Sequence, residues 1–192
     1  QKDWRKNCNP IIMNLNKLFL SLILALLLIA SCAKQEVQKT ENVVKMKITS
    51  TEFQQNGLIP SKYTCDGIKP VNPQLVFSDV PEEAISLVLI MDDPDVPKAL
   101  KADGMFDHWV LFNIPSDAKG IEEGKSIGIA GLNGAGQNAY TGPCPPPQYE
   151  PSTHRYFFKL YALDAMLDLP KNSDKKTVET AMEGHIIEQA TL

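Results

Sequence analysis

Apolar residues gather in four dense runs, separated by polar stretches rich in Pro and Gly. Three of the runs read as buried strands: residues 85–91 (ISLVLIM), 108–114 (HWVLFNI) and 155–163 (RYFFKLYAL). Each is short, rich in β-branched or aromatic residues and bounded by turn formers, which favours strand over helix. The run at 85–91 has no polar alternation, so its strand is expected to be buried on both faces. Residues 46–50 alternate and predict a first strand, and 74–77 predict a short one. Gly57, Pro60, Gly67, Pro70 and Pro73 make 56–73 mostly loop. Residues 117–139, punctuated by Gly120, Gly124, Gly128, Gly131, Gly134 and Gly136, predict a long irregular stretch. A helical signal comes late: Ser173-Asp174 can cap, and Val178, Met182 and Ile186 follow at helical spacing. Strands do not alternate with helices, so the pattern excludes a doubly wound α/β fold. It predicts a mainly β, sandwich-like core with peripheral helices, one of them C-terminal.

The fourth run, 18–29 (LFLSLILALLLI), has no amphipathic period. At about a dozen residues it is too short to cross a bilayer core of about 30 Å as a helix. Lys17 precedes it, and Ala30-Ser31-Cys32 follows. This is the pattern of a secretory signal, and its end resembles the bacterial lipobox, in which the cysteine is lipidated and becomes the mature N-terminus. The expected organisation is upstream sequence at 1–12, with Met13 as the natural start, and a lipoprotein signal peptide at 13–31. A polar, flexible linker at 32–45 then leads to a domain at 46–192. On this reading the protein is exported and held at the membrane, on the periplasmic face or the cell surface, through Cys32.

Composition narrows the class. Hydrophobic residues are 43% of the 192 and charged residues 22%, proportions that exclude a disordered tail. The formal charge of −4 becomes −7 once the leader with Lys2, Arg5, Lys6, Lys17 and Asp3 is removed. An acidic domain without a basic patch excludes nucleic acid as a partner.

Polar chemistry collects at strand ends, where sheets meet loops and sites are commonly built. His108 and His154 open two of the buried strands, and Asp92-Asp93-Pro94-Asp95 closes the third. Parity along the strand sends His154 and Tyr156 to one face and Arg155 to the other, where Asp95 is a candidate partner. A carboxylate beside a histidine favours the imidazolium. Two such histidines and a tyrosine hydroxyl suit a small anion such as phosphate. The segment Tyr140-Thr141-Gly142-Pro143-Cys144-Pro145-Pro146 supplies a rigid rim.

Asp93-Pro94-Asp95-Val96-Pro97, residues 108–115 (HWVLFNIP), residues 140–146 (YTGPCPP) and His154-Arg155-Tyr156 together resemble the phosphatidylethanolamine-binding protein family. Tyr63-Thr64-Cys65-Asp66-Gly67 and residues 182–186 (MEGHI) are similar to its bacterial and archaeal, Raf-kinase-inhibitor-like branch. The resemblance spans about residues 46–191. It implies a large central β-sheet packed on a smaller one, and a small anion pocket at one sheet end. It also implies a site formed by Asp93, Asp95, His108, Tyr140, Gly142, Cys144, Pro146, His154 and Tyr156. Relatives bind phosphate-like anions and phospholipid head groups there, while animal and plant members act through protein partners. Ser152 stands where the family usually has glycine, 147–151 is longer than typical, and the chain stops at Leu192, before the short tail relatives usually carry.

Cys65 and Cys144 fall in loops of this site, and an oxidising compartment makes them a candidate disulfide, with two free thiols as the alternative. There is no CxxC or HxxxH spacing, so neither a metal site nor a cofactor is expected. The function expected is that of a lipid-anchored binding protein for phosphate or a phospholipid head group. A protein-interaction module inhibiting a kinase or protease is the alternative. An enzyme is disfavoured: there is no GxSxG, and the remaining option, a hydrolase with Cys144 as nucleophile and His154 as base, has no evident oxyanion donors.

Overall fold

The computed structural model describes residues 44–69 and 71–192. The expected leader at 13–31, Cys32 and the linker up to residue 43 lie outside the described residues. Among the described residues the strands are β1 (Lys47–Ser50), β2 (Leu75–Ser78), β3 (Ser86–Asp93), β4 (Phe106–Pro115), β5 (Gly120–Ile121), β6 (Ile129–Ala130), β7 (Phe157–Leu163) and β8 (Ile186–Thr191). The α-helix α1 is Lys175–Met182, and a 3-10 turn spans Ser61–Tyr63.

A small antiparallel sheet, ordered β1-β2-β5, faces a larger one ordered β6-β4-β3-β7-β8. The space between the sheets is filled by Ile48, Phe77, Leu87, Leu89, Met91, Trp109, Leu111, Phe158 and Leu160. Val88, Ile90, Val110 and Phe112 point the other way and pack against Val178 and Met182 of α1. The large sheet is therefore a middle layer, and β3 runs through its centre with every residue buried. That is why its sequence shows no polar alternation. The mainly β, two-sheet architecture anticipated from the sequence is the one observed.

Two irregularities in the β3–β4 ladder position the polar residues. Met91 pairs with Trp109, but Asp92 pairs with Asp107, so His108 has no opposite residue. This bulge turns His108 toward the same face as Trp109 and sends Asp107 to the α1 side. A second register shift lies between Leu87 and Leu89, where Asn113 takes φ +53°. Its side chain closes the gap, donating to the Leu167 carbonyl at 2.8 Å and accepting from the Leu167 N–H at 2.8 Å.

Two sequence expectations need correction. Residues 117–139 are not wholly irregular, since β5 and β6 each extend a sheet by one short strand. Their partners lie far away in sequence, so no local periodicity marks them. Gly120 is required in β5, where a Cβ would run into the Leu75 carbonyl. Ile186 is not helical. The helix starts on Asp174, whose side chain accepts from the Thr177 N–H at 2.9 Å, and stops at Met182. Gly184, at φ +81°, ends it and turns the chain into β8, which pairs with the free edge of β7. Ladder bonds on that edge replace the further helical turn that the spacing of Ile186 suggested.

Candidate functional site

The bulge and strand parity converge on one end of the large sheet. Asp93 closes β3 with its carboxylate almost fully buried. His154 Nδ1–H donates to Asp93 Oδ2 at 2.7 Å, and His108 Nε2 lies 4.0 Å from the same oxygen. The other nitrogen of His108, Nδ1–H, donates to the Thr141 carbonyl at 2.7 Å. The second oxygen of Asp93 accepts from the Asp95 N–H at 2.8 Å. Burial works against the ionised form of Asp93, but the two imidazoles and the Asp95 N–H hold its pKa below the ordinary carboxylate value. Tyr156 packs edge-on to the His108 ring, with centroids 5.3 Å apart, and stacks beside His154. Burial, then the Asp93 and Asp95 charges, raises the Tyr156 phenol, which stays a protonated donor.

Asp95 takes a different role. It receives Arg155 through Nε at 2.9 Å, Nη2 at 2.7 Å and the backbone N–H at 2.8 Å. Bidentate bonding to Arg155 pulls its pKa down to about 2, against a smaller opposing effect of burial. The pair braces the Asp93–Asp95 loop against the start of β7.

A cleft of about 560 Å³ opens at this end. His154, Arg155 and Tyr156 line it on one side, and Cys65, Pro143 and Pro145 at the rim. Phe53, Leu58, Ile59 and Phe157 add apolar wall. Of these lining residues, His154 and Tyr156 carry polar atoms, Nε2 and the hydroxyl, that are buried and have no hydrogen-bond partner. Asp93 and His108 sit one layer back, in contact with these two residues rather than with the cleft. The other rim residues hold chain against chain. The Tyr140 hydroxyl donates to the Tyr63 carbonyl at 2.8 Å, and its ring packs edge-on to Trp109, away from the cleft. A Cβ on Gly142 would come within 2.6 Å of the same Tyr63 carbonyl, so glycine lets the two loops touch. The Cys65 N–H donates to the Pro143 carbonyl at 3.0 Å, and Cys65 is bridged to Cys144 with Cα atoms 5.4 Å apart. That bridge leaves Cys144 no thiol to act as a nucleophile. Pro146 accepts from the Tyr149 N–H at 3.1 Å and turns the longer segment that follows. No group of three or more His, Cys, Asp or Glu among the described residues is arranged to hold a metal ion.

Sequence reasoning missed three contributors. The apolar wall comes from Phe53, Leu58 and Ile59 in a loop whose place in space no pattern reveals. Asn133 is buried beneath the rim, donating to the Ala139 carbonyl and the Thr141 hydroxyl, both at 2.8 Å. Lys175 is buried on α1, and its place at a helix start on the apolar face with Val178 and Met182 was a signal that went unread.

Comparison with known proteins gives a consistent picture. Residues 49–192 match the family model described as phosphatidylethanolamine-binding protein. A UPF0098 protein of Chlamydia pneumoniae is 45% identical over 148 residues, covering 77% of this chain and 95% of its own. One from Methanothermobacter thermautotrophicus is 44% identical over 154 residues, with the same coverage. Among solved structures, a phosphatidylethanolamine-binding protein homolog of Chlamydia trachomatis superposes with a TM-score of 0.73 at 44% identity, covering 77% of this chain and 94% of that one. YbcL of E. coli, described as a new member of the mammalian family, gives 0.67 at 25% identity, covering 78% and 96%.

Proposed function

This chain belongs to the phosphatidylethanolamine-binding protein family, and from that premise we propose that it binds a phosphate-like anion, free or as a phospholipid head group, at His154 and Tyr156. The observation that carries the reading is the pair of buried, unpartnered polar atoms, His154 Nε2 and the Tyr156 hydroxyl, on two residues that line the cleft. A buried polar atom without a partner costs about 1–3 kcal/mol, a penalty that an incoming acceptor removes. Tyr156 is a donor at any ordinary pH. With Nδ1–H given to Asp93, His154 Nε2 donates only in the imidazolium form. Asp95 and Arg155 cancel each other's charge, which leaves Asp93 to its contacts with the two histidines. The reading is of a binding protein, with the histidines as donors rather than as general bases.

We further propose export and lipid anchoring through Cys32. The signal-like run at 18–29 supports this, and so does the Cys65–Cys144 bridge, since such bridges persist in oxidising compartments.

The test is a calorimetric titration of the full chain with phosphoethanolamine and, separately, inorganic phosphate. Saturable binding is expected with at least one of the two anions. Tyr156→Phe should lose most of the affinity while keeping the fold, because the hydroxyl supports no other contact. A folded wild-type chain that gives no saturable heat with either anion would overturn the reading.

A further inference from the structure

Resting on the anion-site reading, we infer that Lys175 is a positioning residue for that site, acting from the opposite face of the large sheet through Asp92 and Asp107. Asp92 and Asp93 are neighbours on β3 and point to opposite faces. Asp107 and His108 are neighbours on β4, set apart by the bulge. The site face thus receives Asp93 and His108, and the α1 face receives Asp92 and Asp107. Lys175 reaches both of the latter from the first turn of α1, with Nζ 2.9 Å from Asp92 Oδ2 and 3.2 Å from Asp107 Oδ1. Lys159 of β7 adds a second contact to Asp92 Oδ2 at 2.7 Å, and Glu179 lies 3.9 Å from Lys175.

Stability alone does not account for a buried cation here. Desolvating the charges offsets much of their attraction, and apolar replacements of buried ion pairs are often neutral or stabilising. The cluster is also incompletely bonded: Asp92 Oδ1 has no hydrogen-bond partner, and Asp107 Oδ1 meets Lys175 Nζ as an ion pair without an aligned hydrogen bond. What the arrangement does supply is geometry. One ammonium holds the two residues that face each other across the ladder directly beside the bulge, Asp92 and Asp107. Without it, the buried Asp92 keeps only Lys159, the half-buried Asp107 faces it with no cation between them, and the backbone that carries His108 loses one of its ties. The start of α1 is tied to the same region by backbone. The Leu132 N–H donates to the Ser173 carbonyl at 2.9 Å, and the Gly134 N–H to the Asp107 carbonyl at 2.7 Å. The Thr141 N–H donates to the His108 carbonyl at 2.9 Å. Helix docking and the seat of His108 are therefore one connected arrangement.

The test uses Lys175→Met and Asp107→Asn in the full chain, read by the ring ¹⁵N and ¹H resonances of the three histidines and by titration with inorganic phosphate. His185, paired to Asp164 at 2.8 Å on the surface, is the internal reference. Lys175→Met is expected to shift the His108 ring resonances, leave those of His185 in place, and weaken phosphate binding about tenfold, which corresponds to about 1.4 kcal/mol. Asp107→Asn keeps the side-chain shape, removes only the charge that Lys175 holds, and is expected to shift the same resonances. If Lys175→Met does not fold, Asp107→Asn decides alone. A lowered melting temperature with His108 resonances and phosphate affinity unchanged would assign the cluster to stability only and overturn the inference. A wild-type chain that binds no phosphate sinks the anion reading instead, while the resonances still report whether Lys175 seats His108.

Discussion

Asp92 and Asp93 stand next to each other and meet different partners. Strand alternation turns one toward Lys159 and Lys175 and the other toward His154. Asp95, two residues on, leaves the ladder and braces Arg155. Parity separates His154 and Tyr156 from Arg155 in the sequence, and Arg155 does pair with Asp95, but the three residues precede β7 and all line the cleft. The sequence contains no comparable clue for His108, because a bulge overrides parity. Asp95 also carries a pH prediction. Its folded pKa is lowered from 3.8 to about 2, chiefly by Arg155. A depressed carboxylate stabilises the fold above its unfolded value and loses that contribution as pH falls through the folded one. Stability in urea should therefore decline as pH drops from 3.8 toward about 2. Asp95→Asn should flatten that limb without altering the profile near neutrality beyond a constant offset. A parallel decline in the variant would remove Asp95 from the account.

Strands buried on both sides were legible as elements because their apolar runs are long and unbroken. Two-residue strands and an edge strand were not, since their pairing is decided by what lies beside them. β8 shows this clearly: Ile186 satisfies a helical spacing with Val178 and Met182, yet it pairs with Leu163 across the edge of β7. Loops pose the same difficulty, and the rim is assembled from two of them. Cys65 and Cys144 are 79 residues apart, and a cross-link of that span restricts the unfolded chain by about 4.5 kcal/mol in the entropic description. The double variant Cys65→Ser with Cys144→Ser is expected to lose about 2–4 kcal/mol in denaturant unfolding. It should also bind phosphate more weakly, since Cys65 lines the cleft. An unchanged unfolding midpoint would mean that the bridge contributes nothing to holding the loops together.

At the largest scale, the described residues form a layered domain whose candidate site lies at one end of its middle sheet, where both cores give way to polar residues. Its proposed place at a membrane is a property of the N-terminal segment, not of the layers. Metabolic labelling with a fatty acid should mark the wild-type chain, and Cys32→Ser should abolish the label and release the protein from membranes. Unlabelled wild-type chain would sink the anchor while leaving the cleft chemistry intact. The sequence by itself determined the fold class and pointed to His154 and Tyr156 as candidate site residues, because apolar runs, proline-rich turns and strand-end polar residues are local properties of the chain. Only the tertiary structure decided that His108 joins Asp93 through a bulge and that Tyr140 supports a loop rather than the cleft. It alone, too, placed Phe53, Leu58, Ile59 and Lys175 around the site. Those outcomes depend on which distant segments meet, and packing and ladder register settle that at separations where local pattern carries no information.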